Sequence, residues 1–270
     1  MPKSDNGPDL TGRRVLVPGG TGGVGEGIVR RYLAAGAEVV VPTRAEERAA
    51  EFRQVLGDAA TGHLHLVVHD YTTFTGAEEL VTEMTGRLGG LDDVVAPIGG
   101  FWGGRPLWEV SEADWQGAFT GLATAHLAVL RAALPRLNPF GAYSLIVGAS
   151  AFTPVPGSGL VSMEQAAVAM MAQVVRAELT DGGPAGPEPA GGRRVFTLVL
   201  GPISTRQSGS AGPDWVTAEQ VGAVAVAASA GPAAGREIRL RDQAEASAAL
   251  GLLRAGEPDR PAAAAEAVAG

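Results

Sequence analysis

The run Val15-Leu-Val-Pro-Gly-Gly-Thr-Gly-Gly-Val-Gly25 constrains this chain most. Its three leading apolar residues read as a buried parallel strand. A turn of nearly pure glycine follows. Val24, Ile28 and Tyr32 then recur four apart on one helical face, until Gly36 gives a stop signal. A helix N-terminus carries N–H groups without intrahelical partners and the positive end of the helix dipole, so this turn suits a phosphate. Glycine lets the backbone turn tightly and approach an anion with no Cβ in the way.

The same alternation continues. Glu38–Val41, Leu64–Val68, Val94–Ala96, Tyr143–Val147, Val195–Leu200 and Ile238–Leu240 read as further strands. Between them, Thr43-Arg-Ala-Glu46 and Thr75-Gly-Ala-Glu78 have capping-box spacing. Ser111 opens a long helix to about 134, a second long helix spans about 158–179, and Thr217-Ala-Glu-Gln220 caps another. Alternating strands and helices imply an α/β fold: a single Rossmann-like, doubly wound parallel sheet of about seven strands with helices on both faces. Ligand then belongs beyond the carboxyl ends of the strands, beside the first one. Residues 1–12 read as a flexible arm, 13–254 as the one domain and 255–270 as a flexible Ala/Pro-rich tail. Gly182–Gly192 reads as a loop rich in Gly and Pro.

Composition narrows the chemistry. The chain has 270 residues and no cysteine, so disulfides, thiolate metal sites and a cysteine nucleophile are excluded. A net charge of −8 argues against a nucleic-acid or anionic-membrane partner. With no stretch of 18 apolar residues and no signal-peptide pattern at the N-terminus, the expectation is a cytoplasmic protein with a small-molecule substrate. The only lysine is Lys3, ahead of the first strand, so no lysine can stand inside the fold.

Several motifs in order resemble the short-chain dehydrogenase/reductase family over nearly all of residues 13–241. Gly19-x-x-x-Gly23-x-Gly25 has the family's glycine spacing, and Asp70 follows the third strand. Val94-Val-Ala-Pro-Ile-Gly-Gly100 stands where the family has Asn-Ala-Gly. Gly201-Pro-Ile-Ser-Thr205 stands where it meets the nicotinamide carboxamide. The resemblance implies a nicotinamide cofactor held by Gly19, Thr21, Gly22, Gly23, Val24, Gly25, Arg44, Asp70, Ala96, Pro97, Gly99, Gln165, Ile203 and Thr205. It also implies a homodimer or homotetramer formed through the two long helices. Arg44, just after the second strand, can fork onto a 2′-phosphate, which favours NADP(H) over NAD(H).

The family's usual chemistry uses a Tyr as acid/base, a Lys four residues on that lowers its pKa, a Ser that orients a carbonyl, and an Asn in a water relay. Matching these slots puts Val161 at the Tyr, Gln165 at the Lys and Leu122 at the Asn, leaving Ser150 as the catalytic candidate. None of Tyr32, Tyr71 and Tyr143 has a basic residue four positions on. The expectation is an atypical NADP(H)-binding oxidoreductase of a small carbonyl compound. A repurposed cyclase, dehydratase or isomerase is an alternative, as is a non-catalytic subunit or nucleotide sensor paired with a paralogue.

Other residues carry open readings. Asp70 either accepts from an adenine amino group or caps a loop, and Ser150 either orients a substrate or ends a strand. His126 reads first as a helix-packing histidine and second as a substitute acid/base. Glu164 reads as exposed or as a subunit contact. His63, His65 and His69 alternate like a metal stripe, but a strand buried on both faces makes metal ligation a poor reading. Phe101, Trp102, Trp108 and Phe152 read as a pocket rim or as core cover.

Overall fold

The computed structural model describes residues 7–100, 102–181, 192–209 and 211–256. The expected arm up to residue 6, Phe101, the loop 182–191 and the tail from 257 lie outside the described residues. In chain order the elements are β1 Arg14–Leu16, α1 Gly23–Ala34, β2 Glu38–Thr43, α2 Glu46–Leu56, β3 Leu64–Val68, α3 Phe74–Leu88, β4 Leu91–Ala96, α4 Glu112–Trp115, α5 Leu122–Ala133, β5 Leu137–Gly148, α6 Gly159–Asp181, β6 Arg194–Leu200, β7 Ile203–Ser204, β8 Val216–Thr217, α7 Ala218–Ala230, β9 Glu237–Leu240 and α8 Gln243–Ala255.

Seven strands form one parallel sheet in the order β3-β2-β1-β4-β5-β6-β9, while β7 and β8 pair separately. The order reverses direction between β1 and β4, which opens a crevice at their carboxyl ends. Side chains alternate between two buried layers. Val15, Val17, Val39 and Val41 face α1 and α7, while Leu16, Val40, Val94 and Ala96 face α3 and α5. Each such fully buried aliphatic contributes about 1.5–3 kcal/mol. At the foot of the sheet Asp93, fully buried, accepts from Arg13 Nε (2.8 Å), Arg13 Nη2 (2.7 Å) and the Ala142 N–H (3.0 Å), which ties β1, β4 and β5 together.

Several boundaries differ from expectation. Thr43 belongs to β2, and its hydroxyl donates to the Ala45 carbonyl instead of capping α2. Thr73, not Thr75, caps α3 by accepting from the Gly76 N–H. Thr43 is held in the sheet opposite Val68, which leaves Ala45 at the start of α2 without a side-chain cap. The long helix from Ser111 is not uniform. Residues Gln116–Gly121 form a π-helical turn between α4 and α5. Leu10 is buried and its N–H donates to the Ala35 carbonyl, so residues just before 13 are anchored. The helix α8 carries the chain back along α7.

β3 lies at the sheet edge, and its outer residues are half exposed. His63 Nδ1 and His65 Nε2 each meet one oxygen of Glu38 on β2, at 2.6 and 2.7 Å. The run 112–136 has the length and apolarity of a membrane-crossing helix. Here its Ala125, Ala128, Val129, Ala132 and Ala133 are packed in the core beneath α3 and β4.

Candidate active site

The glycine turn is built as its sequence demands. Gly19 has φ +85°, and a Cβ there would stand 2.6 Å from the Pro97 carbonyl oxygen. A left-handed backbone against a neighbouring carbonyl admits only glycine. Gly25 packs directly under Gly20, where a Cβ would lie 2.6 Å from the Gly20 Cα. Val24 rests against the core beneath. Gly22 caps α1 without a side chain, and the N–H groups of Thr21, Gly23 and Val24 have no acceptor among the described residues. Such exposed donors at the positive end of a helix fit a pyrophosphate.

A cleft of about 750 Å³ opens beside this turn. Gly19, Thr21, Gly22, Arg44, Pro97 and Gly99 line it. Ala96 lies fully buried one residue deeper in β4 and supports the wall from the core. The opposite wall is the π-helical turn and the start of α5, through Gly117, Gly121, Leu122 and Ala125. Leu122 therefore does face the cleft. Arg48, Tyr71 and Thr72 also line it, and sequence reading missed all three. Arg48 stands four residues after Arg44, a helical spacing that could have flagged it. Neither guanidinium has a carboxylate within ion-pair distance among the described residues. Burial raises the Tyr71 phenol above its ordinary pKa, which keeps it protonated.

Asp70 takes the loop-capping geometry: its Oδ1 accepts from the Thr72 N–H (2.9 Å) and hydroxyl (2.6 Å). Those bonds hold its carboxyl below the usual range. Ile203 and Thr205 sit in the strand and turn after β6. The Thr205 hydroxyl is drawn into a knot with Ser208 (Oγ–Oγ 3.0 Å), and Ser208 donates to the Ile203 carbonyl. Thr205 lies directly over Gly23, where a Cβ would come within 2.9 Å of it. Arg206 reaches Glu26 of α1 at 3.1 Å, so the segment is pinned across the helix start.

The chemistry end of the cleft departs from expectation at Gln165 and Glu164. Gln165 does not line the cleft. Its Oε1 accepts from the Gly148 N–H at 2.5 Å and its Nε2 donates to Glu164 Oε2 at 2.8 Å, so both ends are spent inside the protein. Glu164 is fully buried, not exposed, because the α6 face that carries it turns toward α5. Its Oε1 stands 3.8 Å from His126 Nε2, a nitrogen engaged with the Ile98 carbonyl at 2.9 Å. Burial raises the Glu164 carboxyl to about 7 and lowers His126 to about 4, so the two are neutral together between those values. His126, wholly enclosed, serves as packing. Ser150 sits half-buried in the short turn after β5, beside Gly148. Of the aromatic residues expected at the rim, Phe101 lies outside the described residues, Trp102 Nε1 donates to Asp114, and Trp108 and Phe152 are exposed; none of these three lines the cleft.

These features have counterparts in known proteins. A family profile described as short chain dehydrogenase matches residues 13–183. The chain is 32% identical over 174 residues to a hydroxysteroid 11-beta-dehydrogenase 1-like protein of Xenopus tropicalis, spanning 63% of this chain and 60% of that one. It is 31% identical over 199 residues to the 1-deoxy-11-beta-hydroxypentalenate dehydrogenase of Streptomyces avermitilis, spanning 70% and 68%. A short chain dehydrogenase from Burkholderia cenocepacia, solved in complex with NADP, superposes with a TM-score of 0.72 at 21% identity, over 86% of this chain and 97% of that one. That likeness shows the shared fold. On the profile match and the strand order together, this chain belongs to the short-chain dehydrogenase family.

Proposed function

We propose that this chain is an atypical NADP(H)-binding oxidoreductase acting on a small, carbonyl-containing molecule. One observation carries the reading: an open glycine turn with N–H donors unspent among the described residues shares a cleft with two guanidiniums, Arg44 and Arg48, that have no carboxylate within ion-pair distance among the described residues, Asp70 acting on Arg44 only at longer range. A phosphorylated dinucleotide supplies both missing anions, its pyrophosphate at Gly19–Val24 and its 2′-phosphate at the arginines. The reduced cofactor supplies hydride when bound. Thr21, Gly22 and Gly99 then position it along the cleft, and Leu122 and Ala125 exclude water from the α5 side. Ser150 holds the substrate oxygen.

Val161, Gln165 and Leu122 take the slots of the usual Tyr, Lys and Asn, so the protein supplies no activated phenol. The loss of a general acid costs about 10²–10⁴-fold in rate, which favours a substrate acidic or activated in its own right. The reading includes a cytoplasmic homodimer or homotetramer of the 13–254 domain, with no nucleic-acid or membrane partner.

A second reading, a non-catalytic subunit or nucleotide sensor, draws support from two features. Gln165 is locked into Gly148 and Glu164, and α6 exposes Met163, Met170 and Val174, an apolar face suited to another chain. Calorimetric titration with NADPH and NADH, followed by a carbonyl panel, separates the two. NADPH binding at least tenfold tighter than NADH, reduced to parity in Arg44→Ala with Arg48→Ala, supports the cofactor assignment. Equal affinities in the unmutated protein would remove it. NADPH binding without turnover of any carbonyl would favour the sensor.

A further inference from the structure

Glu164 is fully buried, and the reaction proposed above makes no use of it. Its Oε1 has no hydrogen-bond partner among the described residues. A carboxyl enclosed with one oxygen unbonded is costly, and an apolar side chain of similar size would fill the same space without that cost. What the carboxyl does here is join backbone groups at the ends of two neighbouring strands.

One arm runs to β5. Glu164 Oε2 accepts from Gln165 Nε2 at 2.8 Å, which turns the other end of that amide, Oε1, onto the Gly148 N–H at 2.5 Å. Gly148 ends β5, and the turn after it carries Ser150. A Cβ at Gly148 would stand 3.4 Å from Ser150 Oγ and 3.8 Å from Gln165 Oε1, so the hydroxyl and the amide flank one glycine. The other arm runs to the end of β4. Glu164 Oε1 stands 3.8 Å from His126 Nε2, and that nitrogen lies 2.9 Å from the Ile98 carbonyl oxygen. A carbonyl only accepts, so the imidazole carries its proton on Nε2. Ile98 lines the cofactor cleft between Pro97 and Gly99.

Few other charges bear on this pair. The elements packed on α6 are α5, β5, β6, the π-helical turn and the turn at 149–151, with Leu107 lying against Gly159. Their titratable groups are His126 and Arg131 on α5, Tyr143 on β5 and Arg194 on β6. Arg131 lies over the Phe74 ring of α3, Arg194 is held by the Phe140 and Ser229 carbonyls, and burial keeps Tyr143 protonated. Near Leu107, Arg105 pairs with Asp114. On α6 itself Arg176 and Glu178 lie about three turns or more away. Among the described residues His126 is the one basic group within ion-pair distance of Glu164.

We propose that Glu164 is a positioning residue for the reactive end of the cleft: through Gln165 it fixes the Gly148–Ser150 turn, and against His126 it governs the hold on the Ile98 carbonyl. The inference rests on the oxidoreductase reading for the use made of Ser150. A protonated Glu164 leaves the Nε2 proton on Ile98. An ionised one offers Oε1 as a competing acceptor and draws the imidazole toward itself, so both strand ends respond to one proton.

NMR of the nitrogen-15-labelled full chain between pH 5 and pH 9 tests this. The amides of Gly148, Ser150 and Gly99, the last bonded directly to the Ile98 carbonyl carbon, should move with one shared inflection near pH 7, and His126 Nε2 with them. Glu164→Gln keeps the size and removes the titrating proton, so that inflection should vanish from all four signals. Glu164→Leu should displace the Gly148 and Ser150 signals at every pH, because the Gln165 amide loses the oxygen that orients it. A residue that only fills space predicts that leucine leaves them in place. Where Glu164→Leu does not fold, the near-isosteric Glu164→Gln decides. Separate inflections, no inflection, or one that persists in Glu164→Gln overturns the proposal and leaves the cofactor assignment standing, since NADPH titration reads that by itself. A shared inflection lost in Glu164→Gln, in a protein that binds no NADPH and turns over no carbonyl, overturns the oxidoreductase reading instead.

Discussion

Replacing Glu164 with glutamine should stabilise the protein strongly at pH 8 and only slightly at pH 5. Glu164 is fully buried, and burial raises its carboxyl from 4.5 to about 7. Between those values the folded protein keeps a proton that the unfolded chain has released. Folding stability therefore falls as the pH rises through that window, and the loss levels off above 7. At 1.36 kcal/mol for each tenfold step, the glutamate costs about 3 kcal/mol at pH 8 and about 1 kcal/mol at pH 5. Glutamine at 164 keeps an oxygen to accept from Gln165 Nε2 and carries no charge at either pH. His126 titrates with the opposite sign: burial lowers it to about 4, so its contribution is lost as the pH falls from 6.5. That term is present in both proteins and cancels in their difference. Urea unfolding of both at pH 5, 6, 7 and 8 reads the effect, and the corresponding rise in Tm at pH 8 is on the order of 6–12 °C. A difference that does not change with pH, or a loss of stability at pH 8, would refute the reasoning. It would mean that Glu164 is ionised and satisfied in the folded state.

Gly19→Ala should cost about 1–3 kcal/mol and abolish NADPH binding, because alanine at φ +85° drives its Cβ into the Pro97 carbonyl; thermal unfolding and cofactor titration check both effects. Gly27→Ala should lower the unfolding free energy read by urea titration by about 1–3 kcal/mol or more while leaving the cleft residues in place, since its Cβ would collide with the Ala218 backbone where α1 crosses α7. Asp93→Asn should cost about 3–5 kcal/mol in urea unfolding, because it leaves the Arg13 guanidinium without its charge partner at the foot of the sheet.

Local and periodic signals carried most of the architecture. Val15 to Val17 and Val39 to Val41 alternate between two buried layers, so their continuous apolarity is legible without coordinates. The Thr217–Gln220 capping box forms as its spacing implies, because every bond in it lies within four residues. The glycine turn likewise encodes its own conformation, since a positive φ and a close carbonyl exclude every side chain at Gly19. That Lys3 is the only lysine is likewise read directly from the sequence, and it is what motivates the proposal of an atypical active site.

What tertiary structure decided is which groups meet across long sequence separations. Glu164 and His126 lie on different helices, and only the packing of α6 on α5 buries both and brings them to 3.8 Å. Helical spacing gives the angle of Glu164 around its own axis but not the direction in which that axis presents it. Gln165 looked available for a ribose until Gly148, 17 residues earlier, claimed its oxygen. Arg13 and Asp93 are 80 residues apart and have no shared pattern in sequence, yet the sheet brings them into a bidentate pair. Periodicity is a property of one element, whereas desolvation and charge balance belong to the assembled core. The sequence by itself therefore determined the alternation of strands and helices and the conformation of the glycine turn, and the packed structure alone decided which charged groups are buried and which partners they meet.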